Sequence, residues 1–132
     1  MSEENLNIAR QGYEAFNRGD IDAVLSIMDP NIEWQEPDVE GLPYRGTHHG
    51  PEAVANNVFG SVEEHWDGFH VEAEEFLDAG DRVIVLGRFQ GTGKATGRAL
   101  DAPYAHVWTL RDGRLVHFRN YTDTANLLQA LG

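Results

Sequence analysis

The sequence predicts an α+β fold, with a curved antiparallel sheet wrapped around N-terminal helices and a pocket in the centre of the resulting cone. Up to about residue 30, apolar residues recur at helical spacing. From residue 69 onward, apolar and β-branched segments alternate with glycine-containing turns, as in successive strands. Helices followed by a run of strands indicate helices that cover one face of a sheet. A curved sheet under such helices leaves an open-mouthed cavity of the kind that binds small molecules.

Three helices are predicted before the strand-rich region. The first two are amphipathic and end at Gly19 and at Asp29-Pro30, and the third begins at Pro51, since proline suits the first position of a helix. The apolar positions that define the first two are Leu6, Ala9, Tyr13 and Phe16, then Ile21, Val24, Leu25 and Met28.

Five strands and a last short helix complete the predicted elements. A glycine-containing loop is expected between the first strand and the third helix, and the last helix carries Leu127, Leu128 and Leu131. The strand segments are residues 32–35, 69–77, 82–91, 95–110 and 115–122.

Length and composition indicate one globular domain over residues 1–132. Hydrophobic residues make up 41% of the chain, and no apolar stretch is long enough to cross a membrane. The acidic N-terminal residues do not resemble a secretory signal, so we expect a cytoplasmic protein. Cysteine is absent, which excludes disulfides, thiolate metal ligands and cysteine nucleophiles.

The net charge argues against two classes of partner. The chain has 10 basic and 22 acidic residues, for a net charge of −12. Such a surface repels phosphate backbones and anionic lipids, so we expect neither nucleic-acid nor membrane binding. A small molecule is the partner that the predicted pocket favours.

Five short motifs in a characteristic order resemble the SnoaL-like and ketosteroid-isomerase-like domains of the nuclear transport factor 2-like superfamily. They span almost the whole chain. The motifs are Tyr13-Glu14-Ala15-Phe16-Asn17-Arg18-Gly19-Asp20, Asp29-Pro30-Asn31-Ile32-Glu33-Trp34, Tyr44-Arg45-Gly46 before His49-Gly50-Pro51, His106-Val107-Trp108-Thr109-Leu110-Arg111-Asp112-Gly113, and Tyr121-Thr122-Asp123. The resemblance implies a cystatin-like cone around a deep pocket, usually in homodimers. It leaves function open, because the superfamily includes isomerases, polyketide cyclases, epoxide hydrolases, dehydratases and non-catalytic binders.

Glu36 is the first candidate for chemistry in the pocket. It precedes Pro37 and lies sixteen residues after Asp20, where the resemblance implies the general-base aspartate of the steroid isomerases. A carboxylate in an apolar pocket has a raised pKa, which suits proton transfer at neutral pH. The alternative is that Glu36 ends a strand in solvent beside Asp38 and Glu40.

His106 is the second candidate. It is in phase with Tyr104, Trp108 and Leu110, a bulky face that we expect to point inward. The resemblance aligns it with the protonated aspartate that donates to the enolate oxygen in the isomerases, and a histidine could donate there or act as the base. The alternative is a structural histidine bonded to a neighbouring strand or a tyrosine. We expect Trp34, Trp66 and Trp108 in the core or the pocket wall, and Trp108 is the one expected to contact the ligand.

Asn120 falls where the resemblance implies the catalytic acid of limonene-type epoxide hydrolases. An amide cannot act as a base, which argues against epoxide hydrolysis and leaves Asn120 as a hydrogen-bonding group for the ligand. Phe118 lies on the same face of the strand as Asn120 and would form part of the apolar wall of the pocket.

Asp123 has two competing interpretations. The resemblance to the cyclases allows it to be a catalytic carboxylate of the last strand. It is also placed to cap the last helix by accepting hydrogen bonds from the amides of Ala125 or Asn126, which is the interpretation we favour.

The first helix departs from the isomerase pattern. The tyrosine that serves there as the second oxyanion donor falls on Gly12, and Tyr13 lies about 100° further round the helix. Ordinary steroid isomerisation is therefore not expected, although we count Tyr13 among the residues that contact the ligand.

Metal and cofactor signals are weak. His49 and Glu52 could share a helical face, but no second pair or HExxH pattern supports them. We expect no metal and no cofactor.

Two functions fit these residues. In the first, Glu36 or His106 removes a proton next to a carbonyl of a small hydrophobic substrate, and the other group steadies the enolate. In the second, the same pocket belongs to a non-catalytic binding or carrier protein, and its polar groups only orient the ligand.

Overall fold

The computed structural model describes residues 2–132, except for the side chain of Ser2. No helix in this range is long and apolar enough to cross a membrane. The helical segments are α1 (Ser2–Asn17), α2 (Ile21–Ser26), α3 (Pro51–Ala53), a π-helical segment (Val54–Phe59), α4 (Gly60–His65) and α5 (Thr124–Leu131).

Six strands form one curved, open sheet, which together with the helices confirms the predicted fold class. The sheet order is β2-β1-β6-β5-β4-β3, and neighbouring strands are antiparallel except for the parallel pair β1 and β6. The strands are β1 (Met28–Glu36), β2 (Gly46–His49), β3 (Trp66–Ala79), β4 (Arg82–Gly93), β5 (Ala99–Arg111) and β6 (Arg114–Thr122).

Two boundaries near the site differ from the prediction. Strand β1 begins at Met28, which the helical spacing had placed in the second helix. Met28 was assigned to the helix because it is apolar and lies seven positions after Ile21, which fits helical spacing. It fits the strand equally well, because it is buried on the same face as Ile32 and Trp34. The expected loop contains β2, a four-residue edge strand paired with β1 that has no apolar alternation to reveal it.

The third helix begins at Pro51 as predicted and continues through the π-helical segment to His65. Val54, Val58 and Val62 form its buried face. π-Helical turns are rare and occur frequently at functional sites. This one contributes Val58 and Phe59 to the lining of the cavity on the concave face of the sheet.

Alternation along β5 separates the two faces of the sheet. Its even-numbered residues are buried, whereas the odd-numbered residues between them are half-buried or exposed. The buried residues are Leu100, Ala102, Tyr104, His106, Trp108 and Leu110. This is the face that the sequence predicts to point inward, and the helices cover it.

Asn17 fixes the end of α1 to the sheet. Its Nδ2 donates to the carbonyl oxygen of Val71 at 2.9 Å, and the backbone amide of Val71 donates to its Oδ1 at 3.0 Å. The side chain thus makes the two hydrogen bonds that a neighbouring strand residue would make to β3. This anchor sets the height of α1, and therefore of Tyr13, above the concave face.

Candidate functional site

An apolar cavity lies between the helices and the concave face of the sheet. Its volume, counted as the space open to the centre of a water molecule, is about 80 Å³. A single water needs about 10–15 Å³ on this measure, so the cavity can hold several waters or a small organic molecule. Aromatic rings make up much of the wall: Tyr13, Phe16, Trp34, Tyr44, Phe59, Phe69, Phe89, His106, Trp108 and Phe118.

Glu36, at the end of β1, is the acidic side chain of this wall. Its Oε2 accepts a hydrogen bond from Trp34 Nε1 at 2.7 Å, and its Oε1 accepts one from Asn120 Nδ2 at 3.0 Å. Burial of the carboxyl group raises the pKa of Glu36 to about 7, and the hydrogen bonds from Asn120 and Trp34 offset part of this rise. Near neutral pH the group is therefore present in both protonation states.

His106 belongs to a buried hydrogen-bonded chain. Trp108 Nε1 donates to Tyr13 Oη at 2.8 Å, and Tyr13 Oη is 2.7 Å from His106 Nδ1. Since tryptophan can only donate, the arrangement that satisfies all three groups has the Tyr13 hydroxyl donating to Nδ1. The His106 ring then carries its proton on Nε2.

The ring of His106 is neutral. Burial holds the pKa of His106 well below its usual range, although a hydrogen-bonding interaction with the Asn120 side chain offsets part of this effect. The ring stacks on Tyr104 with centroids 3.8 Å apart, which fixes its orientation.

Two buried polar atoms of the site make no hydrogen bond of normal distance and angle, although their side chains interact with each other. They are His106 Nε2 and Asn120 Oδ1, from residues directly opposite each other in the β5–β6 register and 3% and 6% exposed. A buried polar atom without a partner costs about 1–3 kcal/mol, so such atoms call for an explanation. A bound molecule that supplies their partners provides one.

The structure brings six of the seven predicted site residues to one cavity. They are Tyr13, Glu36, His106, Trp108, Phe118 and Asn120. Phe118 stacks on Trp34 at 3.8 Å between ring centroids, so it belongs to the wall, as expected. Gly12 also lines the cavity, and its missing side chain leaves room for the Trp108 ring.

Asp123 is the exception. It is exposed, does not line the cavity, and accepts a hydrogen bond from the Asn126 amide at 3.2 Å as the N-cap of α5. The structure therefore gives Asp123 the capping role, and its placement among the catalytic candidates has no support in the geometry. The chain turns into α5 directly after β6, which carries the carboxylate away from the concave face.

Two residues of the site had no specific role in the sequence analysis. Trp34 was expected in the core or the pocket wall but was not placed beside Glu36, and Tyr44 was only part of a family motif. The alternation of Ile32, Trp34 and Glu36 along β1 could have placed Trp34 beside Glu36, since all three share one face of the strand. Tyr44 lies outside any regular element, so no periodic signal marks it.

Among residues 2–132, no group of three or more histidine, cysteine or acidic side chains comes close enough to hold a metal ion. His49 instead lies 3.8 Å from Glu33, and His70 lies 3.2 Å from Glu72, both on the exposed surface.

The fold and cavity define a class of small, cone-shaped pocket proteins. The chain belongs to the SnoaL-like domain family, whose model matches residues 9–118. Among solved structures, an NTF2-like protein from Burkholderia thailandensis is 37% identical, with 96% of each chain covered and a TM-score of 0.89. TerC, co-crystallised with polyporic acid, is 27% identical over 97% of this chain and 98% of its own, with a TM-score of 0.88.

A putative SnoaL-like polyketide cyclase from Jannaschia sp. supports the same fold. It is 21% identical over 98% of this chain and 92% of its own, with a TM-score of 0.83. No curated protein matches the sequence.

Proposed function

We propose that the protein binds a small, largely apolar carbonyl compound and transfers a proton at the carbon next to the carbonyl, without a cofactor. The observation that carries this proposal is Glu36, a carboxyl group with a pKa raised to about 7 in an aromatic cavity that it shares with the unpartnered His106 Nε2. A base whose pKa lies near the working pH is the most effective proton carrier.

In the proposed step, the Glu36 carboxylate accepts the proton of the α C–H bond. The electron pair of that bond forms the C=C bond of an enolate, and the carbonyl oxygen takes up the negative charge. His106 Nε2–H donates a hydrogen bond to that oxygen, a neutral donor held ready by Tyr13. The proton then returns from Glu36 to another carbon, as in an isomerase. In a cyclase the enolate carbon instead attacks a second carbonyl carbon, the C=O π bond breaks, and the resulting alkoxide takes the proton from Glu36.

Trp34 and Asn120 hold the carboxylate in place during this step. Each donates to a different oxygen of Glu36, which leaves the remaining lone pairs to receive the proton. Because the base must be ionised, the rate should rise with pH through about 7, the pKa of Glu36, and then level off.

Proton exchange tests the proposal before the physiological substrate is known. Small cyclic ketones are incubated with the protein in D₂O, and loss of the α-proton signal is followed by NMR. Glu36→Gln should lower enzyme-dependent exchange by about 10²- to 10⁴-fold, the usual contribution of a general base. Asp123→Asn is the matched control, because it also neutralises one carboxylate, and it should keep full activity. Equal exchange by wild type and Glu36→Gln would contradict the proposal.

A non-catalytic carrier is the second candidate. Both oxygens of Glu36 already accept hydrogen bonds, an arrangement that also suits fixed recognition of a ligand. The structure of TerC with polyporic acid supports a small organic ligand in a relative. Native mass spectrometry of protein purified from its own host can detect a bound molecule. If that molecule is recovered unchanged after incubation with the protein, the result favours a carrier.

We further propose that the protein works as a homodimer in the cytoplasm. The outer face of the sheet presents apolar side chains, and the two large hydrophobic residues that are exposed, Leu77 at 40% and Tyr121 at 49%, both lie on it. Two apolar rows cross the strands: Leu77, Ile84 and Val107 in one, and Leu86, Ala105 and Tyr121 in the other. A second copy of the same face would cover both rows.

A further inference from the structure

The hydroxyl group of Tyr44 is a second unused donor of the cavity. Tyr44 lies between β1 and β2, is 4% exposed and lines the cavity wall. Its oxygen accepts a hydrogen bond from Trp66 Nε1 at 3.3 Å. Among the described residues, no group accepts the hydroxyl proton of Tyr44 in return.

This hydroxyl keeps its proton at neutral pH. Burial, and after it the negative charge of Glu36, raise the pKa of Tyr44 well above that of a free phenol. Tyr44 and Glu36 line the same cavity. Tyr44 therefore holds a donor ready in the cavity of the proposed base, and no acceptor among the described residues receives its proton.

The other tyrosine of the wall cannot do the same. The Tyr13 hydroxyl accepts from Trp108 and is bonded to His106, so its one proton is already committed. Gly12, where the isomerases have their donor tyrosine, has no side chain to offer. Tyr44 is the wall residue whose hydroxyl remains free to meet a ligand.

We propose that Tyr44 donates a hydrogen bond to the ligand oxygen and forms, with His106 Nε2–H, the pair of donors that stabilises the enolate. This inference rests on the proposed function and adds a group that contacts the reacting oxygen. It defines the ligand as one whose carbonyl, enol or phenol oxygen lies at the Glu36 end of the cavity while its apolar part lies among the aromatic rings. A loop residue thus supplies the donor that the first helix lacks.

Binding of 4-nitrophenolate tests this inference. The phenolate oxygen mimics an enolate oxygen, and Glu36→Gln provides the neutral side chain that the enolate would face after proton transfer. Affinity is measured by the absorbance of the probe at a pH where it is ionised. In the Glu36→Gln background, Tyr44→Phe should raise the Kd about tenfold or more, as expected for loss of one hydrogen bond to a charged group.

Tyr104→Phe in the same background is the matched control. Its hydroxyl also makes a single hydrogen bond, to the Glu72 carbonyl oxygen at 2.8 Å, but Tyr104 does not line the cavity. Phenylalanine keeps the ring that stacks on His106, so the orientation of His106 is preserved. Both variants should lower the melting temperature slightly, because each loses one hydrogen bond, and only Tyr44→Phe should weaken binding.

The outcomes separate this inference from the function on which it rests. If Glu36→Gln binds the probe and Tyr44→Phe changes the Kd by less than twofold, or no more than Tyr104→Phe does, the role of Tyr44 is overturned and the proposed function stands. If Glu36→Gln shows no saturable binding, the proposed pocket is overturned and the role of Tyr44 with it.

Discussion

Glu36 and Asp123 are carboxylates near the ends of neighbouring strands, yet their surroundings give them different chemistry. Glu36 ends β1 as a half-buried residue, with its carboxyl group enclosed in the cavity wall and held by two side-chain donors. Asp123 follows β6, is exposed to solvent and accepts a hydrogen bond from the backbone amide of Asn126. The enclosure raises the pKa of Glu36 to about 7, and this makes it the proposed base.

The raised pKa of Glu36 predicts a cost in stability at high pH. The unfolded chain releases this proton near pH 4.5 and the folded protein near pH 7, so the folded state holds the extra proton between these values. Stability contributed by Glu36 therefore falls as pH rises through this window. Glu36→Gln removes the effect, and its stability relative to wild type should increase from pH 5 to pH 8 by up to about 3 kcal/mol.

Urea denaturation of both proteins at pH 5 and pH 8 measures this difference. Glu40→Gln, at an exposed position of the following loop, corrects for the loss of one negative charge. A constant difference between Glu36→Gln and wild type across this range would show that Glu36 is not held in its neutral form by burial.

Short helices depend strongly on their ends, and α5 has only eight residues. Because Asp123 caps it through the amide of Asn126, Asp123→Ala should lower the free energy of unfolding by about 1 kcal/mol. Asp123→Asn should keep most of the stability, since asparagine is an equally good N-cap. Thermal melts of both variants check this, and equal, negligible shifts would rule out the cap.

Replacing a glycine inside a helix by alanine usually stabilises the helix, but at Gly12 of α1 we expect this replacement to destabilise the protein. A Cβ at this position would lie 2.7 Å from Cη2 of Trp108, whose indole is held by Tyr13 and packed on Phe118. Overpacking costs about 1–3 kcal/mol, which exceeds the gain of about 1 kcal/mol in helix propensity. Gly12→Ala should therefore destabilise the protein.

Gly60 is the control for this prediction. It lies at the start of α4 with helical φ and ψ of −62° and −39°, and the nearest atom to its added Cβ is 3.4 Å away. Gly60→Ala should stabilise the protein by up to about 1 kcal/mol. Chemical denaturation of the two variants compares them, and a stabilised Gly12→Ala would mean that Trp108 can move.

At the scale of the whole molecule, the helices cover one face of the sheet, and the other face is the proposed dimer contact. If two copies join through this outer face, Val107→Glu places charges in the middle of the contact and should give a monomer by light scattering. Gln11→Glu, which adds the same charge to the exposed side of α1, should remain a dimer. A monomer mass for the wild type at micromolar concentration would contradict the proposed assembly.

Local patterns in the sequence were sufficient for much of this architecture. Apolar segments between turns predicted β4 and β6. Helical spacing predicted α1, and alternation predicted the inward face of β5, because burial on one face imposes a period on the residues of that same element. His106 and Trp108 followed from that alternation. Strand β2 could not be predicted in this way, because an edge strand of four residues with no apolar face has no periodic pattern.

The sequence by itself determined the fold class, most of the elements and the face on which most candidate residues lie, because these depend on neighbours within a few positions. Only the tertiary structure decided which groups meet. Asn120 reaches Glu36 across 84 residues, and Trp108 reaches Tyr13 across 95. These contacts depend on the register of β6 beside β5, its parallel pairing with β1, and the height of α1 above them. The pKa of Glu36 and the free protons of His106 and Tyr44 arise from burial and from what lies within hydrogen-bond distance, and both are properties of the folded chain.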